Sequence, residues 1–400
     1  MRLLRVIAST NPEGGGPTEG LRQQAPALAE LGVEVDIVSC DPPDAPWLAS
    51  IGLPIYALGP PRAKYAYTPR LLPWLRTNAA GYDAVVVEGI WQYHSFATWR
   101  ALRKTDTPYF VFTHGMLDPW FKRKYPLKHL KKWAYWPWAD YRVLRDARAV
   151  LFTCEEERLL ARQSFWLYRA HEAVTSFGTS APPPVGAEAF WQAYPALRDK
   201  RNVLFLSRIH QKKGCDLLLE AFAQVVGKDE RLHLVIAGPD QTGWQASLQA
   251  QAKRLGIDQR VTWPGMLVGD LKWSAYRAAD VFMLPSHSEN FGIVVAEALG
   301  SGLPVLISDK VNIWREIMEA RAGLVETDTR AGATALLQRW LTLTLPDVTE
   351  MRSMAHACFD AHFEVNRAAA SLVGLVQQYT ADTPPAKQQF VRTLGQEGDR

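Results

Sequence analysis

Ala279-Asp280-Val281-Phe282-Met283-Leu284-Pro285-Ser286 runs almost directly into Glu289-Asn290-Phe291-Gly292-Ile293-Val294-Val295-Ala296-Glu297, and this join decides the fold. The first stretch is a short apolar run closed by a Pro/Ser turn, the pattern of a buried strand. The second passes from loop into helix, Gly300-Ser301-Gly302 stops that helix, and 303–308 starts another strand. Glu289 therefore falls at a strand's carboxyl end, and Glu297 one to two turns inside the helix that follows. In parallel α/β sheets that edge is where ligands sit. Two acceptor-only carboxylates there suit a hydroxyl-rich ligand such as a sugar or a ribose. The plainer reading is a surface Glu and an unrelated helix Glu.

Outward from this join the same rhythm fills the chain. Apolar runs at 3–9, 33–39, 54–58, 84–88, 109–113, 149–153 and 173–177 read as strands, with helical patterns at 18–31 and 97–104 among them. Gly178-Thr179-Ser180-Ala181-Pro182-Pro183-Pro184-Val185-Gly186 interrupts the pattern as a linker. Strands resume at 203–207, 233–237, 261–264, 281–284, 304–307 and 323–325, and 363–379 reads as a terminal helix before a polar tail that frays. The prediction is an α/β chain of two doubly wound parallel-sheet domains, 1–180 and 187–360, facing a central cleft, with 361–400 as a terminal segment.

Four hundred residues, 48% hydrophobic, are more than one compact core usually serves. The four cysteines are scattered without metal-ligand spacing and read as reduced core thiols of a cytoplasmic protein. The apolar run at the start is too short for a signal peptide. No stretch approaches the ~20 apolar residues that span a bilayer. A net charge of +4 says little about partners.

The loop after the first strand of the second half carries Arg208, His210, Lys212 and Lys213-Gly214. Arg208 and Lys213 emerge at the same sheet edge as Glu289, where a guanidinium fork and an ammonium can clamp a diphosphate; the plainer reading, a solvated basic loop, is disfavoured by that shared edge. The glycine loop at 14–16 lets backbone N–H groups approach a ligand at a helix start, but does not spell the dinucleotide motif. Asp41, after the second strand, would then only mimic a ribose-binding acid. His114-Gly115 follows the 109–113 strand, placed to donate to a sugar hydroxyl or to be an ordinary loop histidine. Lysines interleaved with Trp and Tyr over 120–145 suit an anionic membrane surface, or a helix whose aromatics pack inward; no nucleic acid partner is expected.

Glu289 and Glu297 in E-x7-E, Arg208 with Lys213-Gly214, Ala237-Gly238-Pro239 and Trp263-Pro264-Gly265 together resemble the retaining glycosyltransferases of family 4. His114-Gly115-Met116-Leu117-Asp118-Pro119-Trp120 looks like the variant in bacterial exopolysaccharide enzymes of this group. The resemblance implies the GT-B architecture of two Rossmann-like domains, with the terminal helix crossing back onto the first. It implies that Arg208 and Lys213 neutralise the donor diphosphate and that Glu297 binds the ribose. Glu289 would hold the donor sugar with the backbone of Asn290, Phe291, Gly292 and Ile293. Gly238, Pro239, Gly265 and Met266 would lie near the base, Gly15 and Gly16 near phosphate and acceptor, and His114 beside the transferred sugar. The implied reaction moves a sugar from a UDP- or GDP-sugar to a glycan or lipid-linked oligosaccharide in polysaccharide synthesis, at the inner face of the plasma membrane. No D-x-D pair is present to chelate a metal, so no metal or other cofactor is expected. A nucleotide-sugar 2-epimerase and a non-catalytic sugar-nucleotide-binding protein are the competing readings.

Overall fold

Two parallel sheets organise the chain, which is described over residues 1–12 and 16–381 by a computed structural model. The first holds β1 (Arg2–Ile7), β2 (Glu34–Ser39), β3 (Ile55–Ala57), β4 (Ala84–Glu88), β5 (Tyr109–Phe112), β6 (Ala149–Phe152) and β7 (Glu172–Val174), in the order β3-β2-β1-β4-β5-β6-β7. The second holds β8 (Arg201–Leu206), β9 (Leu232–Ala237), β10 (Val261–Gly265), β11 (Val281–Leu284), β12 (Val305–Ser308) and β13 (Gly323–Glu326), in the order β10-β9-β8-β11-β12-β13. Strands β4, β5, β6, β9, β11 and β12 are buried along their whole length, which is why they read as apolar runs broken only by Glu88, His233 and Ser308. Strand order reverses between β1 and β4 in one sheet and between β8 and β11 in the other. A crevice opens at the carboxyl ends of the strands at each such point.

The segment after β7 does not run free. Thr179 N–H donates to Phe363 O, and Val365 N–H donates to Thr179 O, so outgoing and returning chains pair side by side. The helix Val365–Ala381 then lies on the first sheet, packing Val365, Ala369, Leu372 and Val376 among Leu3, Val35, Phe110 and Leu151. Residues 382–400, read as a fraying tail, lie outside the described residues.

Two elements depart from the sequence reading. The helix expected at 97–104 spans Tyr93–Leu102, because His94, Ser95 and Thr98 are buried polar residues that an apolar period does not register. The His94 Nε2 bonds Glu88 O and Thr98 Oγ1 donates to His94 O, while His94 Nδ1 is buried without a hydrogen-bond partner among the described residues. The last strand of the first sheet stops at Val174. All four cysteines are free and buried.

The 120–145 stretch forms helices Trp120–Lys124, Pro126–Tyr135 and Asp140–Asp146. Trp136 is fully buried and stacks on Phe165, whereas Leu127, Leu130 and Trp138 stand in solvent beside exposed Lys128 and Lys131. Among the described residues no helix is long and apolar enough to cross a membrane.

Candidate active site

Both switch points face each other across the seam between the domains. On the second domain, β8 leads into the turn Gln211–Lys213 and then Gly214 at φ +69°. A Cβ there would lie 2.2 Å from Pro285 O, so only glycine lets the β8 and β11 loops close on each other. That closure brings the buried Lys213 ammonium into contact with the Glu289 carboxylate. Burial, with Lys212 and Arg208 nearby, presses Lys213 down towards about 7, while the touching carboxylate holds its charge in place. Arg208 is exposed, with no hydrogen bond or ion pair among the described residues, and so is free to meet an anion. Glu289 is fixed from behind, its N–H bonded to Lys310 O and its O receiving Asn312 N–H.

Gly292 sits at φ +74° and opens the helix Ile293–Gly300. The N–H groups of Asn290, Phe291 and Gly292 have no acceptor among the described residues, leaving donors beside the Lys213–Glu289 pair. Gly238 at φ +144° passes so close to Ser207 that a Cβ would fall 1.8 Å from its O. Its N–H bonds Gly265 O at 2.8 Å, and Ile209 N–H bonds Pro239 O at 2.9 Å. Gly238, Pro239 and Gly265 thus line one rim beside the Arg208 loop, with Met266 exposed beyond it.

Glu297 is buried, and its carboxylate is already engaged. Lys272 Nζ lies 2.5 Å from Oε1 and Tyr276 hydroxyl donates to Oε2 at 3.0 Å. Sequence reading missed both partners; the helix Gly269–Ala278 places them four residues apart on one face. A carboxylate has room for further donors, so this pairing orients Glu297 without exhausting it.

On the first domain, His114 sits at φ +47° and its Nε2 lies 2.6 Å from Glu88 Oε2. Glu88 Oε1 takes Arg5 Nε at 2.7 Å and Nη2 at 2.6 Å. Burial alone would raise the Glu88 carboxyl, but the Arg5 charge and the His114 bond outweigh it and hold the group below the usual range. The pairing puts the His114 proton on Nε2, and Nδ1 has no hydrogen-bond partner among the described residues. Phe112 stacks on the ring and Phe177 meets it edge-on. Buried Glu157 ties the β5 loop to the β6 loop, accepting from Thr113 Oγ1 and Gly115 N on one oxygen and from Thr153 on the other. Arg5, Glu88 and Glu157 were all missed, although for Arg5 and Glu88 a charged residue inside an apolar strand is itself a signal of a buried partner.

The domains touch at this point. Ser288 hydroxyl donates to Asp118 at 2.9 Å, Asn290 Nδ2 to Thr153 Oγ1 at 3.2 Å, and Arg315 pairs with Glu156 at 2.6 Å. Gly115 faces Asn290 so closely that a Cβ would come within 2.8 Å. Gly16, opening the helix Gly16–Glu30, lies beside Ile293, whose Cδ1 would be 3.9 Å from its Cβ. Gly15 lies outside the described residues. Asp41 is buried and ties the β2 loop to the β1 loop, accepting from Ser9 and from Thr10.

Two parallel-sheet domains meeting across a crevice with Lys213, Arg208 and free helix amides on one wall form a GT-B fold. Residues 15–178 match the family model described as glycosyl transferase 4-like domain, and 188–353 that of glycosyl transferases group 1. The two cover most of the chain, which belongs to the GT-B glycosyltransferases.

D-inositol 3-phosphate glycosyltransferase of Nocardia farcinica is 34% identical over 193 residues, 45% of this chain and 40% of that protein. Mannosylfructose-phosphate synthase of Agrobacterium fabrum is 32% identical over 128 residues, 30% of this chain and 28% of that protein. The chain therefore matches less than half the length of these relatives. Sucrose-phosphate synthase from Thermosynechococcus elongatus superposes with a TM-score of 0.77 at 19% identity, over 96% of this chain and 100% of that one. Anabaena Alr3699/HepE in complex with UDP superposes with a TM-score of 0.76 at 18% identity, over 94% and 100%.

Proposed function

We propose that this chain transfers a sugar from a nucleoside diphosphate sugar to a hydroxyl of a glycan or lipid-linked acceptor, with retention at the anomeric carbon. The observation that carries it is the Lys213–Glu289 pair beside unbonded helix amides, across the seam from His114. Lys213 and Arg208 meet the diphosphate, Glu289 and the amides of Asn290 to Ile293 hold the sugar, and Glu297, oriented by Lys272 and Tyr276, takes the ribose hydroxyls. Gly238, Pro239, Gly265 and Met266 border the base, and Gly16 approaches the phosphates.

In the reaction the bond from the anomeric carbon to the phosphate oxygen breaks and one to the acceptor oxygen forms on the same face. The departing phosphate takes the acceptor proton, and nucleoside diphosphate leaves. A cation at ~4 Å from the developing charge is worth about 4 kcal/mol at an effective dielectric of 20. Two protein cations and a helix start serve the leaving group by this route, and no metal is assigned to it.

Uridine is the favoured base, since HepE was solved with UDP and UDP-glucose. Exposed Leu127, Leu130 and Trp138 among lysines support a lipid-linked acceptor reached from the anionic inner leaflet, in polysaccharide synthesis. The test is product analysis with UDP- and GDP-sugars, with and without a lipid-linked acceptor. Transfer needing the acceptor, with an unchanged anomeric configuration, is expected. Inversion refutes the stereochemistry, and donor turnover without acceptor refutes transfer.

A further inference from the structure

A second cavity, of about 690 Å³, opens at the seam on the side of the helix Trp120–Lys124. It does not include Glu289, Arg208 or Lys213; Lys212 and His287, their chain neighbours, form part of its wall. Trp120, Tyr125 and Trp244 give it aromatic faces, and Lys124, Lys212 and Arg254 give it charge. None of these three cations has an ion pair among the described residues. Lys212 instead lies over the rings of Trp120 and Phe121, 5.6 and 5.3 Å from their centroids. Of the two acids in the wall, Glu220 already faces Arg330, which leaves positive charge in excess. A lone phosphate would leave most of this volume and all three rings unused.

We infer that this cavity holds an acidic sugar residue of the acceptor glycan. Its ring lies on the indoles and its carboxylate meets Lys212 and Arg254. The acceptor label rests on the transferase reading, whereas the binding of an acidic saccharide does not.

Isothermal titration of the full chain with a glucuronate-containing tetrasaccharide, a neutral glucose tetrasaccharide, inorganic phosphate, UDP and GDP tests this. Saturable binding of the acidic tetrasaccharide is expected, weakened about tenfold by Arg254→Ala or Trp244→Ala, with nucleotide binding unchanged. Arg254 is exposed, so its variant remains a valid test if Trp244→Ala unfolds. No binding of the acidic tetrasaccharide, equal binding of the neutral one, displacement by phosphate at matched concentration, or indifference to Arg254→Ala overturns the inference. If the unaltered chain binds neither UDP nor GDP, it is the transferase reading that fails.

Discussion

Replacing Lys213 by methionine keeps the apolar stem of the side chain and removes one buried charge. The structure gives two consequences of different size. A diphosphate at ~4 Å loses an attraction of about 4 kcal/mol at an effective dielectric of 20, and the Glu289 carboxylate, stripped of its partner, now repels it. The first term alone predicts a loss of roughly a thousandfold in affinity for the nucleoside diphosphate, and the repulsion adds to it. The folded state itself loses only about 1–3 kcal/mol, because Glu289 keeps some contact with water. Calorimetric titration of Lys213→Met with UDP and with uridine separates the terms, since uridine lacks the phosphates. A near-thousandfold loss for UDP against a few-fold loss for uridine is expected, with thermal melts confirming that the variant is folded. Equal losses for both ligands, or intact UDP affinity, would refute the placement of the diphosphate at Lys213.

Three other outcomes follow from contacts described above. Glu88→Gln leaves Arg5 buried against a neutral amide and should lower stability by about 3–5 kcal/mol in urea melts; an unchanged midpoint would show that the pair does not matter. Gly115→Ala puts a Cβ where φ is +71° and Asn290 already sits, so the domains should part: transfer should fall more than about tenfold while UDP affinity holds. A small-angle scattering profile identical to that of the unaltered chain would contradict that. Asp140 is fully buried, which pushes its carboxyl up to about 7 from 3.8. Between those values the unfolded chain gives up a proton that the folded one keeps, so stability falls as pH rises through that window. Asp140→Asn should flatten this fall between about pH 4 and 7, and a melting curve with the same pH slope there would disprove it.

The strands were legible because both faces of each parallel sheet are covered, which turns β4, β5 or β11 into plain apolar runs. Lys213 and Glu289 were legible because each follows such a run, and edges of one sheet lie together. What stayed hidden depends on lateral strand order. Arg5 meets Glu88 because β1 and β4 are neighbours, which no local pattern states. Lys272 and Tyr276 reach Glu297 through helix packing, and their own helix is too mixed in composition to show which face turns inward. The acid ending Ala-Val-Val-Val-Glu88 and the arginine inside Leu-Leu-Arg5-Val-Ile were readable clues, since neither charge survives burial alone.

The closing helix has a bearing on synthesis. A nascent chain that has released only its first half displays Leu3, Val35 and Phe110 without the Val365–Ala381 helix that roofs them in the finished protein. At ribosomal rates of about 5–20 residues per second, that apolar surface stays bare for on the order of ten seconds or more. Chaperone dependence of this chain should therefore concentrate on its first domain, and a ribosome stalled before Val365 should hold that domain open to proteases.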